Sequence, residues 1–260
     1  MHYAIIAAGL GKRLINEGIN TPKPLIKIGQ ETLIHRLIRI FNNNDAEHIY
    51  IICNTQQRAF LPSSSLLDKI TLITADTPSS MHSLFQLTQQ TDCGKEPFCL
   101  TTIDTIFNEM LFKQYIQTFK CLLSENTQQR TPPSSSSLPE ISENERVYSP
   151  PHSMADALFG ITSFIHDEKP LYVQCDKDGF ITAFIDSCND CQTISAGIYG
   201  LTPKAIPILT QCIENGESRM RNFQRTLLKA QIRIRAFNMG KVIDIDHKSD
   251  ILLAEQMFKQ

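Results

Sequence analysis

Residues 4–14, AIIAAGLGKRL, and residues 21–25, TPKPL, decide how this chain is read. Tyr3–Ile6 is an apolar run of strand type, and Gly9 and Gly11 break it at once. A P-loop needs a glycine five residues before the Gly11-Lys12 pair and Ser or Thr after it; Ile6 and Arg13 stand there, so that motif is excluded. A dinucleotide fingerprint needs a third glycine at position 14 and an acid closing the next strand. Leu14 and Asn54 occupy those places and exclude it too. What remains is a strand followed by a tight loop, Ala7, Ala8, Gly9 and Gly11, whose backbone N–H groups can approach an anion. Arg13 and Lys23 add fixed positive charge beside it. On these residues alone, a glycine turn with surface basic side chains stays open.

Outward from this loop, short β-branched runs alternate with amphipathic stretches. ETLIHRLIRIFN (31–42) places Leu33, Leu37, Ile40 and Phe41 on one helical face. HIYIIC (48–53), KITLIT (69–74) and PFCLTTID (97–104) read as strands, and MHSLFQLTQQ (81–90) as a helix. This alternation predicts an α/β fold with a predominantly parallel sheet covered by helices on both faces. Residues 124–153 are rich in Ser, Pro and charge, and read as a mobile insertion. Beyond them, Asp178-Gly179 turns a hairpin, TISAGIYGL (193–201) is a strand, Pro203 starts a helix, and IRIRAFN and KVIDID are strands. A closing helix follows, capped by Ser249. The whole reads as one domain, residues 1–260.

The formal net charge is −2, which gives no basic field for nucleic acid or an anionic membrane. No apolar run approaches the ~20 residues needed to span a bilayer, and the N-terminus lacks the pattern of a signal peptide. The eight cysteines are scattered, as expected of reduced thiols in a cytoplasmic protein. Cys188 and Cys191 make a lone C-x-x-C, read as a loop turn rather than a zinc or redox centre.

The opening motifs together with TPSSMHSL (77–84), FCLTTIDTIF (98–107), TISAGIYGLTPKAI (193–206) and VIDIDHKSDILLAE (242–255) resemble the nucleotidylyltransferase superfamily. They are most similar to its sugar-1-phosphate nucleotidylyltransferases, or NDP-sugar pyrophosphorylases, across nearly the whole chain outside 124–153. The resemblance implies a GT-A-like, Rossmann-type fold. It also implies transfer of a nucleoside monophosphate from a triphosphate to a sugar 1-phosphate, with release of pyrophosphate.

It implies roles for individual residues as well. Arg13 and Lys23 fill the positions that hold the triphosphate and leaving pyrophosphate, while Ser80, Met81 and His82 match the nucleobase loop. Asp104 and Asp246 match the carboxylates that bind Mg²⁺. Two carboxylates from distant strands suit that ion, and Asp244 is expected to point away from it. The catalytic set is then Arg13, Lys23 and Asp104, and the nucleotide-binding set Ala7, Ala8, Gly9, Gly11, Arg13, Lys23 and Ser80. In one departure, many sugar-specific members carry Glu-Lys-Pro after the hairpin, where this chain has FIDSCND (184–190) and no lysine. A cytidylyltransferase for a non-sugar phosphate such as phosphocholine, and a non-catalytic nucleotide sensor, are the alternatives. The nucleobase and the oligomeric state, a homo-oligomer included, stay open.

Overall fold

Alternation along the first strand sorts the core into two. Tyr3, Ile5 and Ala7 enter one cluster of buried side chains, and Ala4, Ile6 and Ala8 enter the other. The fourth strand does the same with Ile49, Ile51 and Cys53 against Tyr50 and Ile52. Successive side chains leave opposite faces of a sheet, so a strand apolar at every position must be covered on both sides.

The computed structural model describes residues 1–59, 61, 69–128, 155–166 and 168–257. The first half runs β1 (His2–Ile6), α1 (Lys12–Asn16), β2 (Lys27–Ile28), β3 (Glu31–Thr32), α2 (Leu33–Asn42), β4 (His48–Cys53), α3 (Thr55–Arg58), β5 (Ile70–Thr74), α4 (Ser80–Gln90), β6 (Phe98–Thr102), β7 (Thr105–Ile106) and α5 (Glu109–Gln128). The second runs β8 (Ala157–Thr162), β9 (Tyr172–Cys175), β10 (Ile181–Ile185), β11 (Ile194–Leu201), α6 (Ala205–Glu214), α7 (Met220–Lys229), β12 (Ile234–Asn238), β13 (Ile243–Asp244) and α8 (Lys248–Met257).

Among the described residues, nine strands form one sheet with the path β10-β9-β11-β6-β1-β4-β5, and β8 joins β11 to β12. The stretch β6-β1-β4-β5 is parallel, and β11 is antiparallel to β6. The architecture is thus mixed α/β around a parallel centre, as the sequence pattern predicts. Chain order reverses at β1: β4 and β5 build outward on one side, and the crossover through α4 returns to place β6 on the other. Open α/β sheets bind ligands beyond the carboxyl ends of strands at such a switch point. The loop after β1 and the residues after β6 therefore share one crevice.

The face packed by α2 and α5 carries an aromatic stack. Tyr3 and Phe41 lie 4.3 Å apart, and Phe112 lies 5.7 Å from Phe41 and 4.8 Å from Phe107. The Tyr3 hydroxyl donates to the Asn44 carbonyl at 2.7 Å, so its polar end is satisfied in the interior. Met81, Leu84 and Leu87 of α4 cover the opposite face with Leu209, Cys212, Phe223 and Leu227 of α6 and α7.

Three expectations change. Residues 124–128 continue α5 rather than starting a loop, while 129–153 lie outside the described residues. Helix α7 replaces what composition left without an assignment, because Met220, Phe223 and Leu227 form an apolar stripe among charged neighbours. Helix α8 begins at Lys248, and Asp250 rather than Ser249 organises its start. The Asp250 carboxylate accepts the N–H groups of Asp246 at 3.0 Å and His247 at 2.6 Å.

Phe112→Ala empties the middle of the aromatic stack. It should cost about 3–5 kcal/mol of unfolding free energy. Urea denaturation measures it, and a loss under 1 kcal/mol would show that the stack readily collapses onto the space.

Candidate active site

Gly11 turns the chain out of the β1 loop with φ 62°, a left-handed conformation that glycine adopts without a Cβ penalty. The loop is anchored from β4's end. Asn54 Nδ2 donates to the Ala8 carbonyl at 3.0 Å, and Gln57 Nε2 to the Gly9 carbonyl at 2.8 Å. Asn54 also caps α3 through a reciprocal bond with Gln57, so one capping box fixes both anchors. The Lys23–Leu25 turn, with a proline on either side of Lys23, then carries the lysine inward, where it is 7% exposed.

Lys23 Nζ lies 2.5 Å from Asp104 Oδ2 and 2.8 Å from Asp246 Oδ1. Burial alone would favour the neutral amine; the charges of Asp104 and Asp246 outweigh it and hold the lysine pKa above its ordinary value. Burial likewise opposes ionisation of Asp104. Lys23 more than compensates, and the net direction is downward. Arg13 completes the cage, its guanidinium meeting Asp246 Oδ2 at 2.7 Å and Glu168 Oε2 at 3.2 Å.

A small ribbon brings these acids together. β7 and β13 pair antiparallel with Asp244 opposite Thr105, and Ile245 N–H donates to the Asp104 carbonyl at 3.0 Å. Asp244 does not point away, which corrects the expectation that only Asp246 faces the site. The strand ends at Asp244, the Asp246 N–H turns back to the Asp244 carbonyl at 3.1 Å, and the Asp250 cap holds that turn. Residues two apart on an extended chain share a face, and Asp244 and Asp246 accordingly line the same cavity. Thr105 Oγ1 lies 3.1 Å from Asp244 Oδ1 and 2.7 Å from Thr102 Oγ1. Gly197 makes room for this group, since a Cβ there would stand 3.1 Å from Thr105 Oγ1. Asp244 lies on the wall of this cavity, where the surrounding protein and the Asp104 charge push its carboxyl up to about 8.

A cleft of about 450 Å³ runs along the β1 loop, lined by Ala8, Gly9, Gly11, Arg13, Lys23 and Asp104 and by Thr77, Ser79 and Ser80. Ala7 lies buried beneath that loop. Ser80 therefore lies where expected, but Met81 does not: it is fully buried, on the core stripe of α4. His82 turns to Ser79, the N-cap of α4, at 3.0 Å. A second, smaller pocket adjoins the cleft and shares Arg13 and Asp246 with it. Phe164, His166, Glu168, Asp244 and His247 lie on its wall. His247 Nδ1 meets Glu17 at 2.6 Å, and this bond raises the imidazole pKa and lowers that of Glu17.

Where the resemblance places an acceptor lysine, Asp186 accepts instead from Arg221 and Arg225 of α7. Nearby, Cys188 and Cys191 form a disulfide with Cα atoms 5.5 Å apart, correcting the expectation that all the thiols are reduced. Among the described residues the other six cysteines are free, and no helix is long and apolar enough to cross a membrane.

Residues 3–134 match the MobA-like NTP transferase domain, and the chain belongs to that family. A search of curated protein sequences finds no match. Solved structures share the fold at low identity. The inositol-1-phosphate CTP transferase from T. maritima is 14% identical over all of this chain and 96% of its own, with TM-score 0.69. A UDP-glucose pyrophosphorylase complexed with UDP-glucose is 18% identical over 99% and 98%, with TM-score 0.70. The CTP:phosphocholine cytidylyltransferase from Streptococcus pneumoniae is 16% identical over 99% and 98%, with TM-score 0.65. The fold is thus the GT-A-like arrangement of nucleotidyltransferases.

The raised Asp244 carboxyl makes stability depend on pH. The native state keeps a proton up to about pH 8 that an unfolded aspartate releases near pH ~4. Stability should therefore fall as pH rises through this window. Asp244→Asn removes that slope, which thermal unfolding of metal-free protein between pH 4 and 9 measures. Parallel curves for variant and wild type would contradict the assignment.

Proposed function

We propose that this chain transfers a nucleoside monophosphate from a nucleoside triphosphate to a small phosphomonoester, a sugar 1-phosphate being the acceptor its motifs imply. One observation carries the reading: the nucleotide cleft and the second pocket meet at a common wall of Arg13 and Asp246, with the Lys23–Asp104 pair on the cleft side. Two anions entering from the two sides would meet at that wall.

An acceptor phosphate oxygen attacks the α-phosphorus, a new P–O bond forms, and the bond to the β-phosphate oxygen breaks to release pyrophosphate. Negative charge accumulates on the leaving group, so fixed cations serve this reaction better than a protein nucleophile. Arg13 presents a planar fork to phosphate oxygens, and Lys23 holds a buried point charge beside them. Asn54 and Gln57 keep the β1 loop in shape, and Thr77, Ser79 and Ser80 line the cleft where the nucleoside would lie.

Asp104 and Asp246 fit a Mg²⁺ ion, because their oxygens already converge on one cation, the Lys23 ammonium. Among the described residues no three acidic, His or Cys side chains form a ready cage, so phosphate oxygens and water would complete the shell. When bound, the ion would neutralise phosphate charge and polarise the phosphoryl oxygens.

Pyrophosphate release, assayed across nucleoside triphosphates and phosphorylated acceptors with Mg²⁺, tests the proposal. Asp104→Asn and Asp246→Asn should each abolish turnover. Lys23→Met should lower kcat by a factor on the order of 10²–10³, as for one preorganised electrostatic donor. Arg13→Lys should also be impaired, since an ammonium lacks the fork. Tight triphosphate binding without pyrophosphate from any acceptor would favour the nucleotide sensor instead.

A further inference from the structure

We propose that Cys188 and Cys191 are a reversible thiol–disulfide switch that sets the order of the second pocket's wall. The inference rests on the nucleotidyl-transfer reading above and adds a regulation of that site. The pair closes a ring with only Asn189 and Asp190 between the two cysteines, in the connection from β10 to β11. Both cysteines are half-buried, and Ser187, Asn189, Asp190 and Gln192 around them are exposed. A reductant therefore reaches the sulfurs without unfolding the chain. The free thiols of Cys53, Cys93, Cys99 and Cys212 are buried instead, and burial holds them protonated. A ring this short also removes little entropy from the unfolded chain, so opening it leaves the fold standing.

The connection is pinned on either side of this ring. Upstream, Asp186 accepts from Arg221 and, at 2.8 Å, from Arg225 of α7. Downstream, Val173 N–H donates to the Thr193 carbonyl at 3.0 Å, and Ser195 N–H to the Leu171 carbonyl at 2.9 Å. Ile194, Ser195 and Ala196 then line the second pocket, beginning three residues beyond Cys191. β11 pairs with β8 at Ile194 and Ser195, but the register shifts before Tyr199, so this end is a short, separate patch of ladder. With the disulfide closed, little slack remains between Asp186 and Thr193, and the wall is ordered before an acceptor arrives. With it open, binding must supply that ordering and is weakened. The nucleotide cleft is insulated from this change: Asp246 apart, its lining among the described residues comes from positions 6–104.

The switch is a two-electron exchange with a dithiol. One thiolate of the reductant attacks either sulfur, breaking the Cys188–Cys191 bond and forming a mixed disulfide. The reductant's second thiolate breaks that mixed disulfide and leaves as a closed disulfide, while Cys188 and Cys191 take up the two protons. A disulfide oxidant runs the sequence backward.

Intact chain reduced with dithiothreitol and desalted without oxygen is compared with chain oxidised by glutathione disulfide. Alkylation and peptide mass mapping should find Cys188 and Cys191 joined in the oxidised protein and both alkylated in the reduced one. With Mg²⁺ and each triphosphate, reduction should raise the KM of glucose 1-phosphate or phosphocholine on the order of 10-fold, about the effect of ordering one or two side chains. The triphosphate KM should stay unchanged. The Cys188→Ser, Cys191→Ser double variant should show the reduced KM under either treatment. Hydrogen exchange of peptide 186–196 should be faster in the reduced form, with peptide 1–14 as the unchanged control. An unjoined pair in the oxidised protein overturns the proposal. So does an acceptor KM or a 186–196 exchange rate indifferent to reduction, or a response that persists in the double variant. If neither acceptor yields pyrophosphate with any triphosphate, the nucleotidyl-transfer reading falls and hydrogen exchange alone judges the switch.

Discussion

The ammonium of Lys23 ties together segments that the chain keeps far apart. Asp104 follows β6, Asp246 follows β13, and the lysine arrives in a proline-flanked turn before β2. Taking such a charge out of water costs several kcal/mol unless partners and geometry compensate. Two carboxylates supply the compensation here. The same residues line the cleft, so the buried ion pair sets the geometry of the candidate site as well as its charge.

Everything around the pair serves to hold it. The Asn54–Gln57 capping box holds the β1 loop, the β7–β13 ribbon aligns Asp104 with Asp244, and the Asp250 cap turns Asp246 inward. Each is a local hydrogen-bonding device of ordinary strength. Their joint effect is to crowd three carboxylates into one place, and the raised Asp244 carboxyl is the energetic consequence. Like charges crowded in this way leave unfavourable electrostatics stored in the folded protein.

The parts of this site visible in the sequence are the ones encoded locally. The loop after β1 is announced by its glycines, Lys23 by its prolines, and Asp104 by the strand it closes. The stripe of Leu33, Leu37, Ile40 and Phe41 on α2 is buried as its spacing requires. Asp244 is misplaced by parity: positions 244 and 246 are two apart, and residues two apart on a strand share a face, as these two do. Met81 was misplaced because it was matched to a loop, although Met81, Leu84 and Leu87 follow helical spacing and belong to the core. Glu168, Glu17 and His247 carry no local pattern. Only the meeting of the β8–β9 loop, the end of α1 and the start of α8 makes them neighbours.

The ribbon that delivers Asp246 also sets a schedule for synthesis. Lys23 and Asp104 leave the ribosome long before Asp246, which is separated from Lys23 by 223 positions. At elongation rates of about 5–20 residues per second, the interval is on the order of 10 s or more. In the later part of that interval, once residue 134 has been added, the nascent chain holds the family-defining region, residues 3–134, with one of the two counter-ions of Lys23 missing. The half-made protein already holds the β1 loop and its Asn54 and Gln57 anchors but cannot close the charge cage around Lys23, so the two halves of the candidate site are acquired at separate moments of translation.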